Sequence, residues 1–370
     1  MEAGLPGSSA RVGVGIVGLG NISGTYLRNL TTRFAEDVQV VGCTDMDAAR
    51  VEAVVAEYGV AGYRDLDALL GNPDIEVILN LTNPLAHAAV SMAAVAEGRH
   101  VYSEKPLSID FADAQLLLER ARGAGVLVGC APDTFLGDGL QACRRLIDAG
   151  TIGRPIAATA AMVCHGHEGW HPSPAFFYQR GAGPMLDMGP YYLTALVSLM
   201  GPITRVTGAE QTTFATRTIT SQPLAGQEID VRVPTHIAGV LEFAQGVIAT
   251  MVMTFDVWSS RLPHLEVYGT EGSLSAPDPN TFGGPVEVRV ADASQWQAVP
   301  VTGTAQDDSR GLGLADLARA IRSGGQPRAS GELACHVLEA MHGIHESAVT
   351  GAAYAMQTTC PQPAVVTQDT

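Results

Sequence analysis

Lys105 follows the apolar run HVYS and precedes Pro106 in the segment HVYSEKPL at 100–107. A lysine delivered where a strand ends can stabilise an alkoxide or exchange a hydroxyl proton. Its ordinary pKa of ~10.4 has to fall for that work, and burial or a nearby positive charge would lower it. Glu104 and Pro106 flank it, and proline permits a cis bond. Further on, GAGPMLDMGPYYL at 181–193 sets Asp187 one helical turn before Tyr191, with Pro190 expected in the first turn of the helix. A carboxylate and a phenol on one face can orient a hydroxyl and relay its proton. The bland alternatives are a solvated loop lysine, an N-capping aspartate and a core tyrosine.

A second group of residues is suited to binding. Residues 12–20, VGVGIVGLG, are an apolar run that breaks at Gly18 and Gly20. Gly18 suits a tight turn, and Gly20 lets the backbone approach a pyrophosphate. Asn21 and Ile22 complete the loop before a helix from about Ser23, whose first N–H groups favour phosphate. Asp45, after VQVVGCT, can accept hydrogen bonds from a ribose diol. Ser23 replaces the third glycine of that fingerprint, and Asp45 lies somewhat beyond the usual ~20 residues. No Arg or Lys follows Asp45 until Arg50, so NAD is favoured over NADP. In NLTNPLAHAAV, Thr82, Asn83 and Pro84 end another strand and His87 opens a helix. These four, with Glu104, Lys105 and Pro106, are candidate cofactor contacts, against a reading as ordinary turn chemistry.

The segment HEGWH at 167–171 matches the zinc-hydrolase pattern H-E-x-x-H. That pattern needs a helix, and Gly169 within it and Pro172 and Pro174 after it oppose one. No metal is expected, and Trp170 and His171 remain as candidate substrate contacts.

The elements that must position these groups follow from hydrophobic patterning. Residues 11–131 alternate apolar strands at 12–17, 38–43, 75–81, 100–103 and 126–130 with helical patterns between them. That order predicts an α/β Rossmann domain, a doubly wound parallel sheet. From 132 to 350 the texture changes to strand-like runs joined by glycine turns, including a hairpin in LEFAQGVIATMVMTF, closed by helices at 312–323 and 331–350. This predicts a C-terminal α+β domain with a large, mostly antiparallel open sheet. Residues 1–10 read as a disordered tail, and 351–370 as a C-terminal tail that frays.

Bulk properties narrow the function. At 370 residues, 46% hydrophobic and 16% charged, the chain can build two cores. A net charge of −16 disfavours nucleic acid and anionic lipid as partners. Six scattered cysteines without a CxxC fit reduced thiols and the cytoplasm. No signal peptide is recognisable in MEAGLPGSSA, and no apolar run reaches the ~20 residues of a membrane span.

Taken together, GLGNIS at 18–23, CTDMD at 43–47, LTNPLAH at 81–87, SEKPL at 103–107, GAGPMLDMGPYYL at 181–193 and VYGTEGSL at 267–274 resemble the Gfo/Idh/MocA oxidoreductases. The resemblance spans about 11–350. It implies that Lys105 is the catalytic lysine and Asp187 the substrate-positioning aspartate. Tyr191 then stands where many members carry histidine, and Trp170-His171 where they carry a Trp-Arg pair. It also implies a homo-dimer or homo-tetramer through the C-terminal sheet. The expected activity is hydride transfer between NAD and a secondary hydroxyl of a sugar, cyclitol or sugar derivative. Two alternatives share the motifs: an NAD-dependent glycosidase or lyase working by transient oxidation, and a non-catalytic dinucleotide sensor. The intact SEKPL disfavours the sensor.

Overall fold

The computed structural model describes residues 11–366, so the expected N-terminal tail lies outside the described residues. Two compact units are present. The first comprises residues 11–107, 113–131 and 310–331. Its elements are β1 (Val12–Val17), α1 (Ser23–Thr31), β2 (Val38–Thr44), α2 (Ala48–Tyr58), β3 (Ala61–Gly62), α3 (Leu66–Leu70), β4 (Val77–Asn80), α4 (His87–Ala96), β5 (His100–Ser103), α5 (Phe111–Ala124) and β6 (Val128–Cys130). The six strands are parallel in the order β3-β2-β1-β4-β5-β6. β1 and β4 are buried along their whole length, as continuous apolar runs in a sheet covered on both faces must be. The winding reverses between β1 and β4. In such sheets the crevice for a ligand opens there, beyond the carboxyl ends of the strands. Asp47 caps α2 by accepting from Ala49 N–H, and Asp65 caps α3 by accepting from Ala68 N–H.

The expected division at 131 needs one amendment. The helix Leu312–Ser323, assigned from sequence to the C-terminal part, belongs to the first unit. Arg319 pairs with Asp37 at 2.8 Å and Arg322 with Glu76 at 2.6 Å. Asn29 Nδ2 donates to the Arg310 carbonyl, and Gly129 bridges Ser330.

The second unit comprises 108–112, 132–309 and 332–366. It holds α6 (Asp138–Asp148), β7 (Pro155–Val163), α7 (Gly183–Met200), β8 (Ile203–Gln211), β9 (Thr216–Thr218), β10 (Glu228–Asp230), β11 (His236–Phe243), β12 (Ile248–Thr254), β13 (Leu265–Gly269), β14 (Gly272–Ala276), β15 (Glu287–Val290), β16 (Gln297–Ala298), α9 (Gly331–Thr350) and β17 (Tyr354–Ala355); α8 is the Leu312–Ser323 helix of the first unit. Nine strands form one sheet, ordered β16-β15-β14-β13-β7-β12-β11-β8-β17. Only the β7–β12 pair is parallel, and the expected β11–β12 hairpin is present. Burial alternates along β11 and β12. Ile237, Leu241, Ala249, Met251 and Met253 point to the helix-covered face, and Val240 and Ile248 to the open one. β9 and β10 make a separate ribbon.

Two expectations are overturned here. α7 does not begin at Pro190 but at Gly183, with Pro184 in its first turn and Pro190 inside the helix. Pro184 satisfies the start-of-helix role assigned to Pro190, while packing of the buried helix tolerates the hydrogen bond that Pro190 cannot donate. The segment after α9 does not fray as far as residue 366. β17 pairs with β8, Arg144 Nη1 donates to the Pro363 carbonyl, and Val366 N–H donates to Gln141.

Candidate active site

The first unit gathers the binding candidates at the carboxyl ends of β1, β2, β4 and β5. Gly18 has φ +93, and a Cβ there would lie 2.7 Å from the Leu81 carbonyl. Only glycine therefore lets the turn after β1 lie against the end of β4. A Cβ built on Gly20 meets nothing within 4 Å, so its backbone borders open space. Ser23 N–H and Oγ both bond the Gly20 carbonyl, at 3.0 and 2.7 Å, and this closes the loop into α1. Asn21 is exposed and Ile22 half-buried at the N-cap of α1. A bare backbone turn leading into a helix N-terminus fits a pyrophosphate.

Asp45 directly follows β2 and accepts from Leu19 N–H at 2.6 Å and from Asp47 N–H at 2.8 Å. Its carboxylate is thus fixed against the glycine turn, with lone pairs left for a diol. Arg50 Nη1 stands 4.0 Å from it and Arg50 Nε 3.5 Å from Asp47. The sequence distance between Asp45 and Arg50 concealed that proximity, because they meet over the first turn of α2.

Thr82, Asn83 and Pro84 follow β4. Asn80, fully buried, accepts from Thr82 Oγ1 at 2.7 Å and donates to the His87 carbonyl at 2.9 Å. His87 is 1% exposed. Its Nδ1 lies 2.6 Å from the Pro106 carbonyl and its Nε2 3.0 Å from that of Thr82. It acts as a clamp behind two loops and not as a surface contact. Burial pulls its pKa below the ordinary value, while the two carbonyls and Glu104 pull the other way; the net direction is down.

Lys105 sits at the end of β5, half-buried, and its peptide bond to Pro106 is cis. Glu104 holds its backbone: one carboxylate oxygen accepts from Lys105 N–H at 2.9 Å, the other from Tyr26 of α1 at 2.9 Å. Glu104 therefore links the lysine loop to α1. Asn80 and Tyr26 were missed as positioning groups; a lone Asn closing the apolar run of β4 was the available signal.

In the second unit, Asp187 and Tyr191 lie one turn apart on α7, and Tyr191 is buried. The next tyrosine, Tyr192, faces away to His264 and Asp278. His167 reaches Asp187 from the loop after β7, with Nε2 3.6 Å from Oδ2. Its ring stacks on Phe177 at 3.6 Å and meets Phe255 edge-on. A buried network fixes this loop. Glu168 accepts from Arg217 at 2.6 Å and from Tyr178, while Arg217 also pairs with Asp256. Burial, then Glu168, push the Tyr178 phenol well up, so it stays a donor. Gly166 has φ +87, and a Cβ there would lie 2.1 Å from Tyr178 Oη. Residues 167–171 make a turn, not the helix of a zinc motif. His171 Nδ1 accepts from Ser173 N–H, and Trp170 is 66% exposed. His167 was set aside with the HEGWH pattern; its placement beside Asp187 is a product of loop packing.

The six cysteines are free, and burial raises the Cys43 thiol to about 11, with Asp45 adding to the effect. Among the described residues no cluster of three or more His, Cys, Asp or Glu could hold a metal ion, and no helix is long and apolar enough to cross a membrane.

Residues 12–131 match the model of the oxidoreductase family with an NAD-binding Rossmann fold, and residues 140–275 match that of the GFO/IDH/MocA C-terminal domain. The chain belongs to the Gfo/Idh/MocA oxidoreductase family. Among curated relatives, it is 28% identical to the 1,5-anhydro-D-fructose reductase of Ensifer adhaerens, over 86% of this chain and 92% of that one. It is 26% identical to the D-xylose 1-dehydrogenase (NADP(+)) 2 of Haloferax volcanii, over 86% of this chain and 92% of that one. In fold it resembles an NAD-binding oxidoreductase from Klebsiella pneumoniae, with TM-score 0.80, 21% identity and coverage of 93% and 98%. Levoglucosan dehydrogenase in complex with NADH and levoglucosan gives TM-score 0.79 at 18% identity, covering 94% and 100%.

Proposed function

We propose that the chain is a dehydrogenase that moves a hydride between NAD and a secondary hydroxyl or keto group of a sugar, cyclitol or sugar derivative. The observation that carries this reading is Lys105, placed at the carboxyl end of β5 next to β4 and held by Glu104. The bound nicotinamide supplies the hydride acceptor. Lys105 takes the hydroxyl proton in oxidation and returns it in reduction. Asp187 orients the polyol through neighbouring hydroxyls, and Tyr191 assists. Trp170 and His171 shape the substrate side. The turn Gly18–Ile22 holds the pyrophosphate and Asp45 the ribose diol, with Thr82, Asn83, Pro84, Glu104 and Pro106 bordering the nicotinamide half and His87 bracing them.

The polyol class is supported by the relatives' names, which specify anhydrofructose, xylose and inositol. NAD is the expected cofactor, because the fixed Asp45 carboxylate repels a 2′-phosphate. Arg50 is the group that would soften this preference. The open sheet face carries Val240, Thr250 and Val252 beside Ile248, a flat surface suited to a second copy in a homo-dimer or homo-tetramer. The free thiols support the cytoplasm as its location.

A panel of sugars and inositols with NAD and with NADP, read by nicotinamide absorbance, tests the reading. Reduction of NAD by at least one polyol is expected, with higher kcat/KM than for NADP. Turnover of a glycoside with no net absorbance change would move the assignment to redox-assisted elimination. Dinucleotide binding without turnover of any substrate would move it to a sensor.

A further inference from the structure

The second unit contains a cavity of about 400 Å³ that does not include Asp187 or Tyr191 among its lining residues. Trp258 forms one wall. It is 83% exposed, yet its ring lies flat on His165, with centroids 3.4 Å apart and planes 15° apart. An indole held this way in water is preorganised to offer an apolar face. Phe214, 43% exposed, forms a second wall, with the Arg217 guanidinium 4.9 Å from its ring centroid. Thr216 and Thr218 point to the same face of β9, and Thr220 continues the row. Aromatic walls with a few placed hydroxyls are the composition of a small-molecule site.

The charge beneath the cavity narrows the ligand. Arg217 is 5% exposed and is shared between Glu168 and Asp256. Thr213 and Thr235 hydroxyls also donate to Asp256, at 2.6 and 2.7 Å. Both terminal nitrogens of the guanidinium are thus already committed to carboxylates and backbone carbonyls, and the excess of carboxylate repels phosphates and acids. Neutral and cationic molecules remain, and the threonine hydroxyls at the rim favour a neutral molecule with one apolar face and a rim of hydroxyls, which describes a pyranose or furanose ring. The loop after β7 lines the cavity through Gly166 and Glu168, and His167 between them stands against Asp187.

We propose that this cavity is a second saccharide subsite, which takes the neighbouring ring of a disaccharide or glycoside whose reacting ring is held at Asp187. The inference rests on the sugar dehydrogenase reading. Trp258 stacks on the C–H face of the second ring, and the threonine row bonds its hydroxyls. The preferred substrate class is then glycosides over single-ring sugars.

Equilibrium titration of the full chain tests this without turnover. The probes are cellobiose, maltose, lactose and sucrose, set against glucose, xylose and myo-inositol, with choline as a cationic probe for the aromatic walls. At least one disaccharide should bind about tenfold or more tightly than any single ring. W258A should erase that margin and leave single-ring binding unchanged. T218V, which keeps the strand and the side-chain shape, should reduce it. Equal binding of disaccharides and single rings overturns the subsite. So does a margin that survives W258A, or choline binding more tightly than every disaccharide. Failure of the dehydrogenase reading is separate: no sugar would reduce NAD, while Trp258-dependent disaccharide binding would persist.

Discussion

At the scale of single residues, the chemistry depends on groups whose freedom has been removed. Lys105 is anchored at its backbone by Glu104, which Tyr26 in turn holds. Lys105→Met keeps the side-chain length and removes the ammonium. It should lower kcat by ~10²–10⁴, the usual worth of positioned acid–base help, with the NAD dissociation constant nearly unchanged. A variant retaining more than about a tenth of kcat would remove lysine from the mechanism. His167 gives a second test. Asp187 faces the imidazole at 3.6 Å, and the Phe177 stack holds the ring there. His167→Phe preserves the stacking and removes the ring nitrogen that faces Asp187. A loss of about tenfold in sugar kcat/KM, equivalent to ~1.4 kcal/mol, is expected, with NAD affinity unaffected. An unchanged kcat/KM would make His167 purely a packing residue.

Elements act as brackets for those residues. α7 carries Asp187 and Tyr191 because a buried 18-residue helix begins well before Pro190. The carboxyl-terminal segment braces the same unit through α9. Glu339 of α9 is fully buried and accepts from Tyr354 Oη at 3.1 Å, Gln357 N–H at 2.5 Å and Thr358 N–H at 2.8 Å. Glu339→Ala leaves those donors without their acceptor, at about 1–3 kcal/mol for each that stays buried. The variant should melt well below the wild type and become open to proteolysis near residue 354. Wild-type melting behaviour would show that β17 and the contacts of Pro363 and Val366 hold the segment without Glu339.

For the whole molecule, burial of histidines sets the response to acid. His87, His100, His336 and His342 all have pKa values lowered by burial as the largest cause. Burial disfavours their protonation in the folded chain, whereas the unfolded chain takes up protons near ~6.5. Stability is therefore complete above that pH and is lost as pH falls below it. Salt near ~0.5 M screens the net charge of −16, whose relief on acidification acts in the opposite direction. Under those conditions Tm should drop between about pH 7.5 and 5.5. A constant or rising Tm across that range would contradict the assignment.

Local patterns determined the elements. The strands β1 and β5 and the helices α8 and α9 fall where apolar runs and helical periodicity place them, because their signals come from neighbours in the chain. The glycine turn, Asp45 and the lysine at a strand end were legible for the same reason. Parallel winding puts the ends of β1 and β4 side by side, so motifs far apart in sequence converge on one edge. Tertiary structure alone decided the rest. Arg319 and Arg322 tie α8 to the first sheet through partners hundreds of residues away, a pairing no local pattern encodes. The start of α7 was decided by packing that outweighed the helix-starting preference of Pro190. His167 meets Asp187, and Trp258 meets His165, because loops from separate strands are held together by the Glu168–Arg217–Asp256 network. Such contacts depend on where strands end in space, and residue order specifies that only through the completed sheet.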